Sequence, residues 1–120
     1  MVDDSMLIRY AVCRFLEERG FQVESATNGL EALQILQRVR PDLIVTDMRM
    51  PKMSGNELID ALKSNPETAS IPLIIVAGRA SGFDETEKRA TFSIYKDIDL
   101  QSQLEKALDA VTGRGRAAGR

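Results

Sequence analysis

Histidine is absent from these 120 residues, which removes imidazole as base, nucleophile or metal ligand. A single cysteine, Cys13, excludes an intrachain disulfide and any thiolate metal cluster. It lies in an apolar helical run, where a thiol is a buried bystander. Tryptophan is missing too, and four Phe and two Tyr leave the core to aliphatic side chains. Any metal must then be held by oxygen, which favours Mg or Ca over Zn. No apolar run approaches the length of a membrane span, and no basic start followed by a hydrophobic stretch marks export. A membrane is therefore not an expected partner, and the cytoplasm is the expected location.

What is present suits one domain with one core. The chain is 43% hydrophobic and 28% charged, too apolar to be wholly disordered. Its formal net charge is −2, unevenly spread. The last eight residues, GRGRAAGR, hold three Arg and no acid, so residues 1–112 carry 13 basic and 18 acidic side chains. An acidic body argues against a nucleic-acid surface, although the tail alone could touch a phosphate backbone. Disorder is the simpler reading of residues 113–120.

Helical and extended patterns alternate along the chain. SMLIRYAVCRFLEER, residues 5–19, places Ile8, Ala11, Val12, Phe15 and Leu16 on one helical face, with Ser5 or Asp4 at its start and Gly20 as its stop. FQVESA reads as a short strand, and Thr27-Asn28-Gly29 turns into a helix, LEALQILQRV, with Leu30, Leu33, Leu36 and Val39 inward. DLIVTD is too short for a helix and lacks alternation, as a strand covered on both faces should. NELIDALKS is a third helix with Leu58, Ile59 and Leu62 buried, and IPLIIVA a further apolar strand over Leu73 to Ala77. Residues 84–90 are weakly helical. TFSIY is a strand, and DLQSQLEKALDAV a final helix with Leu100, Leu104, Leu108 and Val111 on one side. Such alternation implies an α/β fold, a parallel sheet with helices on both faces. Polar chemistry then collects at the carboxyl ends of the strands.

Asp3 and Asp4 precede the first helix, where a strand would end. Asp47 ends the DLIVT strand and Lys96 ends TFSIY, so residues 43 and 49 positions apart in sequence fall at one sheet edge. Singly, each has a plain structural reading: Asp4 as a helix cap, Lys96 as a solvated rim side chain. Together, converging carboxylates repel one another and call for a divalent cation, which oxygen ligands of this kind supply for Mg²⁺. A carboxylate beside Mg²⁺ and an ammonium is a phosphoryl acceptor: metal and Lys neutralise the transferred oxygens while an Asp oxygen attacks in line.

VDDS, DLIVTDMRMPKMSG and the lysine at the end of TFSIY resemble the receiver domain of two-component response regulators over residues 1–112. The resemblance implies a doubly wound, flavodoxin-like fold with a five-stranded parallel sheet of order 2-1-3-4-5, here with a truncated first strand. It implies Asp47 as phosphoacceptor, Asp4 and Asp47 as direct Mg²⁺ ligands and Asp3 as a ligand through water. Arg49 would offer its backbone carbonyl to the metal, and Lys96 would meet the phosphoryl oxygens. Met50-Pro51 and Gly55 match the loop beneath the acceptor.

Several positions depart from that pattern. The family's Ser or Thr at the end of the fourth strand is Ala77 here, thirty residues after Asp47. A methyl group cannot donate a hydrogen bond, so about 1.5–3 kcal/mol of charge-assisted bonding is missing from a phosphorylated state. Asp97 replaces the family's Pro after Lys96, and Ser93 stands where the switch aromatic is expected. Phe92 and Tyr95 are the neighbouring aromatics, both expected on the other face. The gap of nineteen residues from Ala77 to Lys96 is about three short, a loss expected in the fourth helix. Arg49 and Arg79 stand two residues beyond Asp47 and Ala77, at positions that in the family flank the entrance to the phosphoryl site, and are expected to be either solvated or substitutes for the missing hydroxyl.

Before the acidic pair only Met1 and Val2 are present, where a typical receiver has about four more apolar residues. A central strand this short is expected to open a hole beside DLIVT. A start lying upstream, a trimmed chain, and a domain that tolerates the gap, for example by pairing or swapping with another copy as a homodimer, are the three explanations, in that order. The resemblance implies a single-domain regulator that takes a phosphoryl group from a histidine kinase or phosphotransfer protein and signals by contact with a downstream protein, not an enzyme in its own right. Ala77, Asp97 and Ser93 favour the alternative, a receiver fold used as a phosphorylation-independent interaction module. A Mg-dependent phosphohydrolase is disfavoured, since no separate general acid accompanies Asp47.

Overall fold

Three short runs of branched aliphatic residues pair side by side to make the sheet. The computed structural model describes residues 1–48, 52–77, 92–95 and 99–112. Within them the order is α1 (Met6–Glu18), α2 (Gly29–Leu36), β1 (Ile44–Asp47), α3 (Gly55–Ser64), β2 (Leu73–Ala77), β3 (Phe92–Tyr95) and α4 (Leu100–Thr112). Both strand pairings are parallel, from Ile44 opposite Leu73 to Asp47 opposite Val76, and from Ile74 opposite Phe92 to Ala77 opposite Tyr95. The sheet is covered on both faces. Ile44, Leu73 and Ile75 point into a core with Ala32, Leu58, Ile59 and Leu62 of α2 and α3. Val45, Ile74 and Val76 point into another with Val12, Phe15, Leu16, Leu104 and Leu108 of α1 and α4. Successive strand residues serve opposite cores, which is why these runs are apolar throughout.

Two further strand positions survive only as single residues. Val2 bridges in parallel to Ala26 on one side and to Thr46 on the other. Its N–H donates to Val45 O and its carbonyl accepts from Asp47 N, each at 2.8 Å, while Ala26 N donates to Met1 O at 2.9 Å and Asp3 N to Ala26 O at 3.1 Å. The line of pairing therefore runs Ala26, Val2, β1, β2, β3, the expected order 2-1-3-4-5. FQVESA does not form the expected strand. With only Val2 in the neighbouring line, it has one residue to pair with, and Phe21 and Val23 are half-buried instead. Between Gly20–Ala26 and Val39–Val45 a cavity of about 400 Å³ opens beside the amino end of β1.

Local signals set the helix ends. Ser5, Asn28 and Ser54 cap α1, α2 and α3, and Ser54 forms a reciprocal capping box with Glu57. Gly20 lies at φ 93°, a left-handed turn after α1. In α2 the buried stripe differs from the expected one: Leu30 is 46% exposed and Ala32 buried. The helix starts at Gly29 and ends at Leu36, so its inward face is set by packing of Ala32 against α3 rather than by side-chain size. Ala11 is likewise exposed on α1. Cys13 is half-buried, and burial pushes its thiol above the usual range, in keeping with an inert bystander. The expected helix at 84–90 and the tail at 113–120 lie outside the described residues.

Candidate functional site

Asp3 and Asp4 follow Val2 directly, and Asp47 ends the β1 strand that Val2 bridges. One short ladder thus fixes both halves of the acidic cluster. Oxygens of Asp3, Asp4 and Asp47 all lie within 4.8 Å of one another. Asp3 is fully buried and Asp47 nearly so, whereas Asp4 is exposed. Asp3 Oδ1 accepts from Ser5 N–H at 2.8 Å, and Asp47 Oδ1 from Met48 N–H at 2.8 Å. These bonds orient the carboxylates. The start of α1, capped by Ser5, adds the positive end of a helix dipole beside them.

Three carboxylates drawn this close make a strongly negative patch that favours a bound cation. The donor set fits Mg²⁺. An octahedral shell at about 2.1 Å puts ligand oxygens about 3.0 Å apart when adjacent and about 4.2 Å when opposite, so the observed span closes with a small side-chain adjustment or a bridging water. The clustered donors are all carboxylate oxygens, which suit a hard cation better than the softer metals. Asp3, Asp4 and Asp47 are the residues that would hold it.

The start of α3 lies close against the end of β1. Gly55 N donates to Met48 O at 3.0 Å, and a Cβ at Gly55 would lie 2.3 Å from Asp47 O. Only glycine permits that approach. Lys52 takes φ 66° on the way, a left-handed conformation that costs a non-glycine residue about 1 kcal/mol. Gly29 N donates to Met53 O at 3.3 Å, tying the start of α2 to the same loop.

Of the residues singled out from sequence, Asp3, Asp4 and Asp47 come together. Ala77 ends β2 in register with Tyr95, one position beyond the pairing of Asp47 with Val76. Ser93 pairs with Ile75 inside the sheet. Phe92 and Ile94 both pack on the α1/α4 core, so Ser93 and Tyr95, two apart, share the opposite face. The expectation that Tyr95 faces away from Ser93 is thus corrected, while Phe92 does face away. Arg49, Arg79, Lys96 and Asp97 lie outside the described residues, as do Met50 and Pro51. Two contributors were not singled out. Arg9 Nη1 donates to Asp3 O at 2.9 Å, bringing a cation against the acidic segment. Gln103 binds the backbone of Tyr95 from α4, accepting from its N–H at 3.0 Å and donating to its carbonyl at 2.7 Å. Each sits on a helix as an ordinary polar residue, and only the fold shows what it reaches.

Comparison with known proteins agrees with this geometry. Residues 1–109 match the response regulator receiver domain family. Sporulation initiation phosphotransferase F of Bacillus subtilis is 32% identical over 112 residues, covering 90% of each chain. The chemotaxis response regulator CheY4 of Vibrio cholerae superposes with a TM-score of 0.80 at 31% identity, over 92% of this chain and 93% of that one. A receiver domain of the sensor histidine kinase PA1611 from Pseudomonas aeruginosa, with magnesium coordinated in its active site cleft, shares the fold at 20% identity and a TM-score of 0.82, covering 93% of each chain. The chain spans only 36% and 11% of the length of two other curated relatives, the "Probable transcriptional regulator ycf29" of Pyropia yezoensis and the "Gliding motility regulatory protein" of Myxococcus xanthus.

Proposed function

Because this chain belongs to the response regulator receiver domain family, we propose that it is a phosphoacceptor whose acceptor is Asp47 and whose donor is a phosphohistidine on a histidine kinase or phosphotransfer protein. The observation that carries this reading is the convergence of Asp3, Asp4 and Asp47 within 4.8 Å at the carboxyl edge of the sheet. An oxygen of Asp47 attacks phosphorus in line, the N–P bond of the donor breaks, and an acyl phosphate forms on Asp47. Bound Mg²⁺ would neutralise charge on the transferred oxygens. Asp3, Asp4 and Asp47 would hold that cation, Asp4 and Asp47 directly and Asp3 through water, with the Arg49 backbone carbonyl as a further ligand. Lys96, next in sequence to the end of β3, pairs with the phosphoryl oxygens, and Arg79 is positioned in sequence to assist.

The donor must dock within reach of Asp47. Met6, Leu7 and Tyr10 are 71%, 77% and 61% exposed and share one face of α1, beginning two residues after Asp4. That apolar stripe suits a helix of the partner. Output is by contact with a downstream protein in the cytoplasm.

Ala77 favours a second reading, a receiver used as an interaction module without phosphorylation. It ends β2 beside the acceptor strand with no hydroxyl to offer a phosphoryl group. Incubation with acetyl phosphate and Mg²⁺, read by intact-protein mass, decides between them. One added phosphoryl group, dependent on Mg²⁺ and abolished by Asp47→Asn, is expected. An unmodified wild-type chain under conditions that load a control receiver would refute the first reading in favour of the second.

A further inference from the structure

The turn that carries Asp3 and Asp4 follows a single bridged residue, Val2. Asp3 N–H bonds Ala26 O at 3.1 Å, so in a continued parallel ladder the Asp3 carbonyl would accept from the N–H of Asn28. The backbone turns into α2 there instead, with Asn28 as the cap of that helix. A side chain takes the place of the departed strand: Arg9 Nη1 donates to Asp3 O at 2.9 Å. That carbonyl belongs to the planar peptide joining Asp3 to Asp4, and fixing it fixes the plane from which Asp4 departs.

Helix geometry explains why residue 9 can reach so far back. Arg9 N–H donates to Ser5 O in the first turn of α1, and long side chains on a helix lean toward its amino end. The other arginines of α1 are engaged elsewhere, Arg14 with Glu18 and Tyr10, Arg19 with Glu105 and Phe15 O. Half-buried Arg9 has no ion-pair partner among the described residues. Asp3 is tied at two further points, its N–H to Ala26 and its Oδ1 to Ser5 N–H at 2.8 Å. The exposed Asp4 carboxylate takes no hydrogen bond among the described residues, so its aim depends on the backbone that Arg9 holds.

We infer that Arg9 is a positioning residue of the acceptor site, holding the Asp3–Asp4 peptide so that the Asp4 carboxylate meets those of Asp3 and Asp47. The inference rests on the reading of these three carboxylates as a Mg²⁺ site. Its sign separates it from a plain charge effect. A cation acting through its charge alone repels Mg²⁺, so its removal tightens binding, and more so at low salt. A group that orients a metal ligand strengthens binding, and its removal weakens affinity about tenfold or more.

Calorimetric titration of Mg²⁺ into the parent chain, Arg9→Met and Arg9→Lys tests this, at low ionic strength and at about 0.5 M KCl. Met and Lys match Arg in helix propensity, and Lys keeps a donor for one carbonyl bond. Arg9→Met should bind Mg²⁺ at least about tenfold more weakly at both salt concentrations, and Arg9→Lys within about threefold of the parent. In the metal-free chains, exchange of the Ser5 amide should quicken at least about tenfold in Arg9→Met, while that of Asp47, which bonds Val2 O, should not. Unchanged or tighter Mg²⁺ binding by Arg9→Met, a Lys variant as weak as the Met variant, no quickening at Ser5, or equal quickening at Ser5 and Asp47 would each overturn the inference alone. A parent chain that takes up no Mg²⁺, or whose uptake is unchanged by Asp47→Asn, would overturn the metal reading first and this inference with it.

Discussion

Replacing Gly55 with alanine should damage the acceptor loop more than any other glycine substitution among the described residues. The new Cβ would lie 2.3 Å from Asp47 O, 2.7 Å from Met48 Cα and 2.9 Å from Met48 Sδ. An ordinary carbon–oxygen contact is about 1 Å longer than the first of these, and the obstacle is backbone that no rotamer change can clear. α3 must move away from β1, straining Leu58 and Ile59, both fully buried. Overpacking of this kind costs up to about 3 kcal/mol, and the helix-forming advantage of alanine returns at most about 1. A net loss of about 2–3 kcal/mol lowers Tm by about 10 °C in a chain of this size. Two controls isolate the cause. Gly20→Ala meets nothing within 4 Å and pays only for φ 93°, about 1 kcal/mol. Gly29→Ala meets the Met53 side chain, its Cγ at 2.7 Å, which can swing aside. Urea unfolding of the three variants at unchanged m-value gives the ordering. If Gly55→Ala costs no more than Gly20→Ala, the close approach of α3 to Asp47 is not what shapes this loop.

Ser54→Ala removes one half of the capping box and should destabilise the chain by about 1 kcal/mol in urea unfolding; a change below a few tenths would mean the box is formed but idle. Gln103→Ala should cost about 1–2 kcal/mol from its two bonds to Tyr95, visible as faster exchange of the Tyr95 amide. Asp3→Asn should weaken Mg²⁺ binding at least about tenfold by calorimetric titration, and unchanged affinity would remove Asp3 from the metal site. Stability should also rise with pH below the ordinary α-amine range. Under the lowered folded value the Met1 amine is charged in both states and the native state bears its desolvation; above the ordinary value it is neutral in both. Between them the unfolded chain binds more protons, so stability climbs. N-terminal acetylation should flatten that slope.

The parts legible in sequence were those whose pattern had a single solution. LIIV could be only a strand buried on both faces, and α3 emerged with its three buried residues because Leu58, Ile59 and Leu62 have no competing register. The acidic cluster was legible because strand ends in an alternating chain share an edge. FQVESA was misread because strand formation depends on a partner, and the partner line holds one residue. Leu30 was misread because propensity favours a large inward side chain while the close packing of α2 on α3 admits Ala32. Arg9 and Gln103 had no signature, since a side chain reaching backbone on another element leaves no periodic trace.

Gln103 has one more consequence. β3 is the outermost strand of the described sheet, and its last residue presents the backbone groups to which another molecule's strand would attach. The Gln103 amide occupies both at Tyr95, on a helix of the same chain. At that rim the sheet is spoken for, so concentrated solutions of Gln103→Ala, unlike those of the parent, should cloud by edge-to-edge growth before they unfold.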